Sequence, residues 1–99
     1  MKPVQFSQPA SDELAEAIRW YEDRRTGLGR ELYDAVVATV DLLQTHPEIG
    51  TLRRGRYPSR QLRVTRFPYT VAYRDRHDDI YVVAVAHTSR RPGYWKNRT

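Results

Sequence analysis

Apolar residues change their spacing along this chain, and the changes mark out its elements. After a short apolar stretch, Val4–Phe6, which reads as an edge strand, Leu14, Ala17, Ile18 and Tyr21 recur at i, i+3, i+4 and i+7. That spacing lines one face of a helix. Ser7 or Gln8 is its expected cap, and Pro9 falls in the first turn, where its missing N–H costs nothing. Asp12, Glu13 and Glu16 lie toward the positive end of the helix dipole, and Arg24 and Arg25 toward the negative end. Gly27 is the expected left-handed stop. A second helix is expected from Leu28 or Gly29, with Leu32, Val36, Val40 and Leu43 as its stripe, widened by Tyr33 and Val37. It ends at His46, because Pro47 disfavours helical geometry in the residue before it. The link between the helices is short, so they form an antiparallel hairpin.

Beyond Pro47 the period shortens to two. Residues 47–59 are rich in turn formers, with a short strand near Thr51–Arg53. Arg60–Arg74 and Ile80–His87 are rich in β-branched and aromatic residues. Pro68 splits the first run into two strands, and Asp75–Asp79 is a polar turn before the last. That last strand, IYVVAVAH, is almost continuously apolar, which predicts cover on both faces and a central place in the sheet. Strands joined by short turns pair antiparallel. The expected fold is α+β, in the order β–α–α–(β)–β–β–β: a short N-terminal strand and a helical hairpin packed on a twisted antiparallel sheet. The 99 residues predict one domain, 1–99.

Charge divides this fold in two. The net charge is +5, yet residues 1–50 carry five Lys/Arg against nine Asp/Glu, and residues 51–99 carry twelve against three. Eleven of those twelve cations are Arg, whose forked guanidinium suits phosphates and carboxylates and stacks on rings. A polyanion or an acidic protein segment is the expected partner of that half. Several chemistries are excluded. There is no Cys for a thiolate nucleophile or zinc site, no glycine-rich phosphate loop and no serine-nucleophile motif. The three His, at 46, 77 and 87, are isolated, so neither a metal nor a cofactor is expected. MKPVQF lacks the apolar run of a signal peptide, and no segment reaches membrane-spanning length; a soluble cytoplasmic protein is the expectation.

Candidate functional residues gather in the basic half. Arg53, Arg54 and Arg56 occupy a turn-rich loop, Arg60 and Arg63 the strand after it, and Arg90, Arg91, Tyr94, Trp95, Lys96 and Arg98 the C-terminal tail. Tyr94 and Trp95 either stack on a bound partner or close one end of the small core. Cutting RNA would require a base to activate a 2′-hydroxyl, Arg to stabilise the phosphate and an acid for the leaving oxygen. Arg60, Arg63, His87 and Arg90 supply candidates for the last two roles; no carboxylate or Lys base is evident on the strands.

EAIRWYE at 16–22, GLG at 27–29, HPEIG at 46–50, Arg60 before a strand, FPY at 67–69, Val71, Tyr73 and AVAHTSRRPGYWKNR at 84–98 recur together and in order. With them the chain resembles the RelE/ParE superfamily of toxins from bacterial type II toxin–antitoxin pairs. The resemblance implies a growth-inhibitory toxin neutralised by direct binding of a cognate antitoxin, acidic in its toxin-binding segment, in a hetero-oligomer. RelE-type members cut mRNA on the ribosome and ParE-type members block DNA gyrase. Arg60, His87 and Arg90 fit the first arrangement; FPY, HTSRRPGYW and the scarcity of Lys look more like the second, which is the favoured reading. A non-toxic relative that only binds its antitoxin is the third.

Overall fold

The computed structural model describes residues 1–99. Strand β1 (Val4–Phe6) leads into helix α1 (Gln8–Arg24), which is followed by α2 (Leu28–Thr45), β2 (Thr51–Arg53), β3 (Ser59–Arg63), β4 (Tyr69–Asp75) and β5 (Ile80–His87). The expected order of elements is the observed one. Ser7 caps α1: its backbone is extended and its hydroxyl accepts the Ala10 N–H at 3.2 Å. The first turn of α1 holds no acidic residue, so the acids expected to serve its dipole act elsewhere. Asp12 accepts from the Gln8 side chain, and Glu13 reaches the sheet.

Gly27 is left-handed as expected, at φ 92°, but it does not stop α1, which ends at the extended Arg25; it caps α2 instead, without a side chain to offer. Glu22 substitutes for one: its carboxylate accepts the N–H groups of Gly27 and Gly29 at 3.0–3.1 Å, satisfying donors that the helix start leaves open. Gly29 also lets the two helices approach. A Cβ there would lie 2.7 Å from the carbonyl oxygen of Ile18, a backbone atom that cannot swing aside. His46 is the C-cap of α2, its N–H donating to Leu42 O.

The five strands form one sheet in the order β1-β5-β4-β3-β2. β2 to β5 are antiparallel neighbours, as short turns require. β1 instead joins the outer edge of β5 in parallel, Val4 opposite Ile80 and Phe6 opposite Val82, which makes the sheet mixed. The turn argument governs only strands adjacent in sequence; β1 reaches β5 through packing after the helices intervene.

The sheet is covered on both faces. Leu32, Val36 and Leu43 of α2 and Ala17 of α1 pack with Val71, Tyr73, Ile80, Val82 and Val85 on one face. On the other, Ala72, Val83, Ala84 and Ala86 lie under Trp95, which is 5% exposed. Tyr73 pairs with Val82 and Ala72 with Ala84, so Val83 is an extra residue in β5. This bulge places Val83 on the Trp95 side. The small side chains on that face leave room for an indole, and the tail, residues 88–99, folds back over the sheet to supply it. Helix α2 departs from expectation in one respect. Tyr33 and Val37 do not widen its core stripe but stand 43% and 38% exposed on the outer face of the hairpin.

Candidate interaction surfaces

The C-terminal tail is clamped to α1 by one carboxylate. Glu13 accepts the Val85 N–H at 3.0 Å, the Tyr94 hydroxyl at 2.6 Å, and two N–H groups of Arg98 at 3.1 and 3.2 Å. Arg98 also donates to Val83 O, and Arg74 to the main-chain oxygen of Arg98. The Tyr94 ring lies between two guanidinium groups, Arg90 at 4.0 Å and Arg98 at 5.1 Å from its centroid. Burial, reinforced by the Glu13 carboxylate, pushes the Tyr94 hydroxyl far above its ordinary range. Glu13 was not legible as a key residue, because a Glu on the first half of a helix reads as ordinary dipole compensation.

The candidate surface residues separate into tethered and free. Trp95 is buried and its Nε1–H donates to Ser59 Oγ at 3.4 Å, so its ring closes the core and does not stack at the surface. Tyr94 is half-buried with its hydroxyl engaged, and Arg98 is paired with Glu13. Arg53 lies against Gly93, whose φ is 72°; a Cβ there would collide with the guanidinium. Arg54, Arg56, Arg63, Arg91 and Lys96 are exposed, and none of them forms an ion pair. They are the free part of the cationic face.

The candidate RNA-cutting residues converge only in part: His87 and Arg90 line the same cleft, while Arg60 lies apart from them. Arg60 pairs with Tyr73 and Arg63 with Thr70. Three steps along a strand put them on opposite faces. Arg60 is on the helix side, where its guanidinium donates to Glu48 O at 3.1 Å and Gly50 O at 2.9 Å. There it closes a small network with Tyr73, whose hydroxyl donates to Pro47 O and accepts from Gly50 N–H. Burial raises the Tyr73 hydroxyl above its usual range. The HPEIG segment thus earns its glycine: a Cβ at Gly50 would sit 2.6 Å from the Tyr73 hydroxyl. His87 lies at the far end of β5, opposite Tyr69, with the rings edge to face at 5.1 Å. Ser89 donates its N–H to His87 Nδ1 at 3.0 Å. A backbone N–H can only donate, so Nδ1 is an acceptor and the proton of the neutral ring sits on Nε2.

Two concavities flank α1. The first, about 410 Å³, lies between α1 and the end of β5 and is lined by Glu13, Glu16, Trp20, Tyr21, Tyr69 and His87 among others. Trp20 is half exposed, with the Arg24 guanidinium 3.4 Å from its centroid. It falls off the helix's apolar stripe, and a large aromatic at a solvent-facing position was the available sequence signal for this site. The second, about 380 Å³, is an apolar groove between the helices, lined by Leu14, Ile18, Tyr33, Val37 and Val40 over Phe6. No helix is long and apolar enough to cross a membrane, and no three His, Asp or Glu side chains gather where a metal could be held.

The fold is a helical hairpin on a sheet, with an apolar groove between the helices and exposed, unpaired cations in the basic half. The family model for the ParE toxin of the type II toxin–antitoxin system parDE matches residues 4–92. The chain therefore belongs to the ParE toxin family. Among solved structures, a chain from the chromosomal ParDE toxin–antitoxin system of P. aeruginosa shares its fold at a TM-score of 0.75 and 19% identity, covering 90% of this chain and 98% of that one. No curated protein sequence matches the chain.

Proposed function

We propose that this toxin acts on DNA gyrase without cutting RNA, and is neutralised by a cognate antitoxin. One observation carries the reading: the Arg60 guanidinium is spent on the carbonyls of Glu48 and Gly50, on the face of the sheet away from Arg63. An RNA-cutting site would need that charge beside His87 and Arg90, aimed at a phosphate. With Arg60 structural, the free arginines and Lys96 form a surface that steers and binds and lacks a base to start the chemistry. The antitoxin reading draws support from the apolar groove, where Tyr33 and Val37 expose ring and branched side chains that a partner would cover. The cationic face complements an acidic segment of the same partner.

The test uses two purified systems. Added to gyrase and relaxed plasmid, the toxin blocks supercoiling, and His87→Ala retains the block. Neutralising Arg54, Arg63 and Arg91 together weakens it at least ~10-fold, most clearly at low salt. In cell-free translation the mRNA ends stay intact. Ribosome-dependent cuts that disappear in His87→Ala would overturn the reading in favour of an endoribonuclease.

A further inference from the structure

β5 has an outer edge that β1 covers only as far as Val82. Beyond it the chain lifts away into α1, and main-chain groups that a neighbouring strand would take are left to side chains. Ser7 Oγ and Arg98 donate to Val83 O, and Glu13 accepts from Val85 N–H. Side chains that occupy an edge in this way keep it from pairing at random.

The cover is incomplete. Thr88 donates its N–H to Pro68 O, so that residue faces β4. Alternation then turns the main-chain groups of His87 and Val85 to the outer edge. His87 O is taken by Arg90 N–H, and Val85 N–H by Glu13. Val85 O and His87 N–H remain, one residue apart, and both residues line the 410 Å³ cleft. An antiparallel neighbour would need both groups of Val85 or both of His87, and each residue has one already engaged. A carbonyl at i−1 and an N–H at i+1 are the two contacts that a parallel neighbour makes around residue i, here Ala86.

We infer that the outer edge of β5 receives an extended segment of the antitoxin, running parallel to β5 in line with β1 and bridging Ala86. Its N–H donates to Val85 O and its C=O accepts from His87 N–H. The inference rests on the antitoxin reading above and goes beyond it in naming the edge, the direction and the side chain required. Glu16 lies in the cleft without an ion-pair partner, beside the aromatic wall of Trp20, Tyr21 and Tyr69. Its charge contributes to raising the Tyr69 hydroxyl, after burial and Tyr21. Arg24 already covers the Trp20 ring and Arg90 lines the cleft, so it is the Glu16 carboxylate, without an ion-pair partner, that is left to take a Lys or Arg from the incoming segment. The partner is therefore mixed in charge: cationic where it enters this cleft, acidic where it meets the free arginines.

Amide exchange of ¹⁵N-labelled toxin, alone and with the purified antitoxin that restores growth, tests the assignment. The His87 amide exchanges freely in the toxin alone and slows at least ~10-fold in the complex, as a new ladder bond requires. His87→Pro deletes the donor from an edge position where no internal bond is lost. It weakens binding about 3- to 10-fold relative to His87→Ala, the range of one hydrogen bond of ordinary net strength. Glu16→Lys, at an exposed position, weakens binding about 2- to 5-fold, and the effect fades in high salt. A complex that forms with His87 exchange unchanged overturns the strand pairing and leaves the antitoxin reading standing. Failure of any antitoxin to bind overturns both.

Discussion

Removing the Glu13 carboxylate is the perturbation that bears most directly on how the tail is held. Its side chain is 17% exposed and that of Arg98 27%, between the surface regime, where an ion pair contributes ~0–1 kcal/mol, and the buried one, where breaking a pair costs ~3–5 kcal/mol. Glu13→Ala strands the Val85 N–H, the Tyr94 hydroxyl and the Arg98 guanidinium together. Water entering through the open cleft recovers part of that loss, so the net cost is ~2–4 kcal/mol. For a domain of this size each kcal/mol moves the midpoint by ~4–8 °C, so Tm falls by roughly 10–25 °C. The assay is urea and thermal unfolding in a Trp20→Phe background, where emission reports Trp95 alone. The variant should unfold earlier, and its native emission should shift red as the tail loosens. A double-mutant cycle with Arg98→Met should give a coupling of ~1–2 kcal/mol. A loss under ~1 kcal/mol with unchanged Trp95 emission would refute the clamp and leave the indole contacts alone to seat the tail.

The tyrosines give a pH signature. Tyr94, Tyr69 and Tyr73 hold their protons above the ordinary value of 10.0 in the fold, chiefly through burial. Above that pH the unfolded chain loses protons that the native one keeps, so stability is full below pH ~10 and falls as pH rises, by ~1.4 kcal/mol per unit for each such tyrosine. Urea titrations from pH 9 to 11.5 should show Tyr94→Phe removing one proton's worth of that slope. Trp95→Ala empties the tail face of the sheet and should cost ~3–5 kcal/mol, read by urea unfolding, with Trp20 as the fluorescence reporter. Gly29→Ala, which at an open helix position would gain up to ~1 kcal/mol, should instead destabilise, because its Cβ meets the Ile18 carbonyl; a higher Tm would show that the helices can part without loss.

Much of the framework was legible in the spacing of apolar residues. The cap at Ser7 or Gln8, the break at Pro68, the turn before Ile80 and the limits of β5 all follow from local chemistry, and the structure has each in place, with Ser7 as the cap. The unbroken apolar run of β5 announced cover on both faces, and Trp95 with the helices provides it. Side-chain destinations were harder. Arg60, Arg63 and Arg98 are alike as letters, yet one is tied to carbonyls, one is free and one is locked to a carboxylate 85 residues away. An arginine's long stem lets its charge reach any of several partners, and which of them lies within reach depends on chain segments remote in sequence.

The sequence by itself therefore determined the elements, their order, the polarity of charge and the family, because helix period, turn chemistry and strand alternation act over a few residues. Only the tertiary structure decided that β1 joins β5 in parallel, that Tyr33 and Val37 face outward, and that Glu13 gathers the tail. It alone left Val85 O and His87 N–H unpaired at the edge. Those outcomes depend on which surfaces meet after the elements have formed, and hydrogen bonds and packing at that range are set by geometry that no local spacing encodes.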